Sequence, residues 1–201
     1  MSVTADVTFA SSTGRPMRAA LALPGRTERR PGVIVIHEIF GLNDDIRRIA
    51  GRFADLEAAR TWLATRREVD PQRTGVVGFC LGGGFALLYA VRAPLGVSAV
   101  FYGDVPKTAA ALRGTCPILA GYGGRDRIFA PQGRRLEALL TELDVPHDVR
   151  IYPDAGHSYM SEHSGVLATI GYWGPMAARY DPAAAADSWT RIESFFRQHL
   201  G

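Results

Sequence analysis

Five short apolar runs rich in β-branched residues, separated by amphipathic stretches, restrict the fold more than any other feature of this sequence. They are Gly32–His37 (GVIVIH), Gly75–Phe79 (GVVGF), Val97–Tyr102 (VSAVFY), Pro117–Tyr122 (PILAGY) and Asp148–Tyr152 (DVRIY). Short, continuous apolar runs of this kind read as strands buried on both faces. Between them, helical spacing starts at Asp44 and recurs over Gly82–Arg92, Gln132–Leu143 and Ala184–Leu200. The last of these places Trp189, Ile192, Phe195, Phe196 and Leu200 on one stripe. Strand alternating with helix predicts an α/β fold: a mostly parallel sheet with helices on both faces. Ahead of it, Ala5–Ala10 and Met17–Leu23 flank the turn-rich Ser11–Arg15, which predicts an antiparallel hairpin at the sheet edge. At 201 residues, a single domain spanning 1–201 is expected.

Composition removes several function classes. No run approaches the roughly 20 apolar residues of a membrane helix, and the opening MSVTADVTFASSTGRPM lacks the basic start and apolar stretch of a signal peptide. A cytoplasmic protein without membrane contact is the expectation. The net charge of +3 comes from arginines scattered among Asp and Glu, with no long basic block, so nucleic acid is not an expected partner. Cys80 and Cys116 lack metal-ligand spacing, and in a reducing compartment they read as two free thiols.

Chemistry concentrates in Val76–Gly84 (VVGFCLGGG), a strand that passes through small-x-Cys-x-small directly into a helix. This is the pattern of a nucleophile elbow with cysteine in the place of serine. The central residue of such a turn is strained, and only small neighbours two positions away allow the close backbone approach. The helix N-terminus beside the thiol favours thiolate. The string has neither G-x-G-x-x-G nor a closing Gly-Lys-Ser/Thr, which argues against a phosphate cradle. An elbow requires an acid and then a histidine, each on a loop after a later strand. Asp126 follows the run ending at Tyr122, and His157 follows the run ending at Tyr152. Singly, each would read as a turn aspartate or a loop histidine; in this order they read as partners of Cys80. His163 is the rival base but lies in a segment without strand signal, and Cys116 enters its strand at the end remote from a site of this kind.

These motifs, with His37-Glu38-Ile39-Phe40-Gly41-Leu42 and Gly156-His157-Ser158-Tyr159, resemble the dienelactone hydrolase family of the α/β-hydrolase fold over nearly the whole chain. The resemblance implies Cys80 as nucleophile, His157 as general base and acid, and Asp126 as the residue orienting the imidazole. It places the oxyanion on the backbone N–H groups of Leu81 and Ile39, and gives Glu38 the role of contacting the thiol and modulating its ionisation. Phe40, Tyr102 and Ser158 are the further positions expected to meet substrate. The implied activity is hydrolysis of a small ester or lactone through a cysteine acyl-enzyme, with no metal and no organic cofactor.

Two departures from the family stand out. Ser158–His163 holds no arginine, whereas family members acting on dienelactone carry one shortly after the histidine. After the first buried strand, Arg47–Ala54 runs directly into Asp55–Leu63, so a family strand and its loop have no counterpart. The helical phase of Ile46, Ile49, Phe53, Leu56, Ala59 and Leu63 would then allow one helix from Asp44 to Arg66. The bared sheet edge would need the hairpin or a second copy, as in a homodimer, to cover it, or would leave the protein prone to aggregate; the other expectation is that a segment belongs between Ala54 and Asp55 that this sequence omits. The alternative function is a catalytically impaired remnant that binds small molecules or serves as an interaction protein.

Overall fold

The computed structural model of the protein describes residues 2–24, 29–36, 56–162 and 174–201. Seven strands are described: β1 (Ser2–Ala10), β2 (Pro16–Pro24), β3 (Arg30–Ile36), β4 (Val69–Phe79), β5 (Val97–Phe101), β6 (Ile118–Gly123) and β7 (His147–Tyr152). With them come helices α1 (56–64), α2 (Leu81–Ala90), α3 (Ala130–Glu142) and α4 (Pro182–Leu200). Strands β3 to β7 form one parallel sheet in chain order, as the alternation predicts.

Register fixes which helix covers which face. Ser98 bonds the carbonyl of Ala86 on α2 and pairs in register with Ile118, so Ile118, Ala120 and Tyr122 point to the α2 side. A Cβ on Gly133 of α3 would strike the Tyr122 ring, and one on Gly32 would strike Leu63 of α1, so α1, α2 and α3 share that face. This is what right-handed crossovers between neighbouring parallel strands produce. Among the described helices, α4 is the one on the opposite face, where Phe196 abuts Gly75.

Four sequence expectations need correction. The hairpin β1–β2 forms, but as a two-stranded sheet of its own rather than an addition to the main one. It meets α1 through stacked Phe9 and Trp62 rings, 5.2 Å apart. Strand β3 is not buried on both faces: Val33 and Val35 are 42% and 61% exposed, on the side where α4 packs mainly on β4, β5 and β6. Strand β4 begins at Val69 rather than Gly75, since Arg30 and Pro31 pair with Val69 and Asp70 before the register shifts. Trp189 is not on the buried stripe of α4; it is 47% exposed, and the interior row is Ala184, Ser188, Ile192, Phe196 and Leu200 at four-residue spacing. Of the helix expected from Asp44 to Arg66, 56–64 is seen; its earlier part and the Ala54–Asp55 junction lie outside the described residues. Among the described residues no helix is long and apolar enough to cross a membrane.

Candidate active site

Parallel strands direct their carboxyl ends to one rim, and the loops leaving β4, β5, β6 and β7 meet there. Cys80 leaves β4 with φ 54° and ψ −121°, then opens α2 as its N-cap residue. Its N–H donates to the carbonyl of Phe101, while its own carbonyl accepts from the N–H groups of Gly83 and Gly84. The turn closes because Gly78 has no side chain: a Cβ there would run into the carbonyl of Gly82. The thiol is half-buried. Two further non-glycine residues at this rim, Tyr102 (φ 42°) and Ser158 (φ 55°), also hold left-handed backbone. Such strain persists where the surroundings over-determine the chain, and it gathers at functional sites.

Asp126 and His157 are brought together by direct bonding between their loops. Gly124 N–H donates to the carbonyl of Tyr152 at 2.7 Å, and Arg125 N–H to that of Ala155 at 2.9 Å. Gly123 and Gly124 permit this approach, since a Cβ on Gly123 would collide with the carbonyl of Gly156 and one on Gly124 with Pro153. Asp126 is fully buried. Its Oδ1 accepts from the N–H groups of Ile128 and Phe129, at 3.0 Å each, and its Oδ2 faces His157 Nδ1 at 2.6 Å. His157 Nε2 lies 3.2 Å from Cys80 Sγ. Burial lowers the tendency of this imidazole to hold its proton, but hydrogen bonds and charge from Asp126 and Cys80 outweigh it and raise the pKa to about 9. Cys116 is the contrasting thiol: buried in the core, it is pushed up to about 12 by desolvation.

Tyr102 and Ser158, expected near substrate, both lie at this rim. The Tyr102 ring is 5.0 Å from His157, and Ser158 is buried beside it with its hydroxyl unpartnered among the described residues. Leu81 opens α2, so its N–H belongs to the first turn, which has no intrahelical acceptor. Glu38, Ile39, Phe40 and His163 lie outside the described residues. One contact went unread in the sequence: Phe129 flanks His157 on a second side, ring centroids 4.8 Å apart. Its signal is positional, because an aspartate whose carboxylate takes the N–H three residues on turns that residue back toward whatever the carboxylate holds.

Residues 17–56 and 53–200 match the profile of the dienelactone hydrolase family, in two pieces that meet around Ala54 and Asp55. A carboxymethylenebutenolidase of Rhodococcus opacus is 35% identical over 168 residues, covering 77% of this chain and 60% of that protein. A carboxymethylenebutenolidase-like protein of Escherichia coli (strain K12) is 26% identical, with 99% of this chain and 89% of the relative aligned. That alignment runs over 254 residues, more than the 201 here, so the relative carries a stretch without counterpart in this chain. Among solved structures, a dienelactone hydrolase-like promiscuous phosphotriesterase from metagenomic libraries superposes with a TM-score of 0.75 at 22% identity, over 100% of this chain and 99% of that one.

Proposed function

The chain belongs to the dienelactone hydrolase family of ester and lactone hydrolases, and from that premise we propose that, acting as one domain, it cleaves a small ester or lactone through an acyl-enzyme on Cys80. The observation that carries this reading is the chain of contacts from carboxylate to imidazole to sulfur, 2.6 Å and 3.2 Å long, ending on a strained residue at a helix N-terminus. With Nδ1–H donating to Asp126, Nε2 is the nitrogen that exchanges a proton with the thiol. The thiolate attacks the acyl carbon, forming the C–S bond. The oxyanion is stabilised by the Leu81 N–H, with the Ile39 N–H as the second donor expected from the family. Collapse expels the alkoxide, which takes the Nε2 proton. Water then enters, gives its proton to Nε2 and attacks the thioester, and the acid leaves as the thiol regains its proton. Tyr102 and Ser158, both buried at the His157 rim, are proposed as substrate contacts together with Phe40, and Glu38 as the group that modulates the thiol.

An ester suits this chemistry better than an amide because an alkoxide leaves more readily than an amine. No family arginine follows His157, so neutral esters are the preferred class of substrate. The gap at Ala54–Asp55 favours a second reading, a binding protein without turnover. A panel of aryl esters and lactones separates the two. Turnover lost in Cys80→Ala, with a mass increase equal to the acyl group trapped on the Cys80 peptide, supports the hydrolase; binding without either supports the remnant.

A further inference from the structure

Ser188, far from the site in sequence, touches both ends of the segment that carries the histidine. It lies on the buried face of α4 and is 1% exposed. Its Oγ lies 2.9 Å from the Tyr159 hydroxyl and 2.9 Å from that of Tyr152. Tyr152 is the last residue of β7, and Tyr159 stands two residues beyond His157.

The protons in this cluster have one consistent direction. The Tyr152 hydroxyl donates to Asp187 Oδ2 at 2.8 Å and accepts from Arg191 Nη1 at 3.3 Å. Arg191 is itself held by the carboxylate of Asp148 on β7. With the Tyr152 O–H directed at Asp187, Ser188 donates to Tyr152, and the remaining link is Tyr159 donating to Ser188. Three hydroxyls therefore run head to tail from the interior to a surface carboxylate, each with its proton assigned. At the inner end the fully buried Tyr159 hydroxyl rests over Gly121 of β6, in space that any side chain at Gly121 would occupy. The Tyr159 ring meets Tyr102 edge-on at 5.5 Å, and Tyr102 in turn flanks His157. Between Tyr159 and His157 stands Ser158, with φ at 55°, a backbone state that relaxes unless both sides are held.

We propose that Ser188 is a positioning residue for the hydrolysis suggested above: its hydroxyl clasps Tyr152 and Tyr159, closing the intervening segment and seating His157 Nε2 against the sulfur of Cys80. Without the clasp, the buried Tyr159 hydroxyl loses its partner, while the half-buried Tyr152 hydroxyl keeps Asp187 and Arg191, so the cost of an unmade bond falls on Tyr159. Moving Tyr159 toward another partner perturbs the strained turn at Ser158 and with it the seat of the His157 ring, whose backbone is separately bonded to Met176 and Arg179.

The test uses Ser188→Ala in the full chain, with thermal unfolding as the check on folding. Two functional readouts are taken: iodoacetamide alkylation of Cys80 across pH, and kcat and KM on an aryl ester. The expected result is an alkylation profile displaced to higher pH, a rate at neutral pH lower by about tenfold, and kcat lower by about tenfold with KM little changed. Tyr159→Phe keeps the ring and deletes one hydroxyl, so it should shift the same readouts in the same direction, and it decides the matter if Ser188→Ala does not fold. A folded variant with a lower Tm but wild-type alkylation and kcat would overturn the proposal and leave Ser188 as packing alone. Alkylation needs no substrate. If the wild-type protein hydrolyses nothing, the alkylation profile still shows whether the clasp holds imidazole on thiol, so failure of the hydrolase reading and failure of this one are distinguishable.

Discussion

Replacing Asp126 with Asn preserves the size of a fully buried side chain and reverses one hydrogen bond. The outcome is dictated by the other oxygen. Oδ1 takes two backbone N–H groups at 3.0 Å, so an Asn must keep its carbonyl there and turn its NH2 toward His157 Nδ1. Two donors cannot face each other at 2.6 Å, so the neutral ring must accept at Nδ1 and carry its proton on Nε2, aimed at the sulfur. The base is then blocked. His157 rises from 6.5 to about 9 in the native site, against its own desolvation. At about 1.36 kcal/mol per unit, that is a net preference for imidazolium on the order of 3 kcal/mol, shared between Asp126 and Cys80. Loss of the carboxylate should lower the His157 titration, followed by imidazole NMR, and reduce kcat by roughly 10³- to 10⁴-fold, the range for a triad whose orienting acid is neutralised. Stability carries the same signature. Because the folded value lies above the unfolded 6.5, this group's contribution is complete below pH 6.5 and is lost as pH rises through about 9. The decline of Tm across that window should flatten in Asp126→Asn. A variant with an unchanged His157 titration and kcat within about tenfold of wild type would refute the assigned tautomer and the role drawn from it.

The remaining predictions concern the thiols and the elbow. Iodoacetamide at pH 8 should modify Cys80 and leave Cys116 intact by peptide mapping, because burial holds the Cys116 thiol near 12 and its thiolate fraction is about one in 10⁴; preferential labelling of Cys116 would contradict this. Gly78→Ala should unfold the elbow or cost several kcal/mol in urea denaturation, on the order of 3 or more, since the new Cβ meets a backbone carbonyl that cannot step aside. Wild-type stability in that variant would mean that the turn is looser than its contacts indicate.

What the residues determined by themselves is what depends on near neighbours. Runs such as VSAVFY and PILAGY have no polar face to offer water, so they become interior strands whatever surrounds them, and the stretches between them supply the crossovers. The elbow is equally local: Gly78, Cys80 and the glycines after it make a strand-to-helix turn within a few residues, and a left-handed φ at Cys80 follows. Chain order made Asp126 and His157 its candidate partners, because parallel strands send successive loops to one rim.

Tertiary structure decided the rest, and the reason is that burial belongs to pairs of surfaces rather than to residue types. Hydrophobicity alone selects Trp189 for the interior of α4 and sends Ser188 to solvent. The sheet reverses the choice, because the row at four-residue spacing through Ile192, Phe196 and Leu200 passes through Ser188, and two tyrosine hydroxyls wait opposite it. Val33 and Val35 would be interior in a strand covered on both sides, but α4 packs mainly on β4 to β6 and they stay exposed. Gly123 and Gly124 read as a tight turn, yet they are small because another loop, thirty residues on, lies against them. The sequence names the groups that can react; which of them touch, and which glycine or serine lets them, is a property of chain segments that meet only after folding.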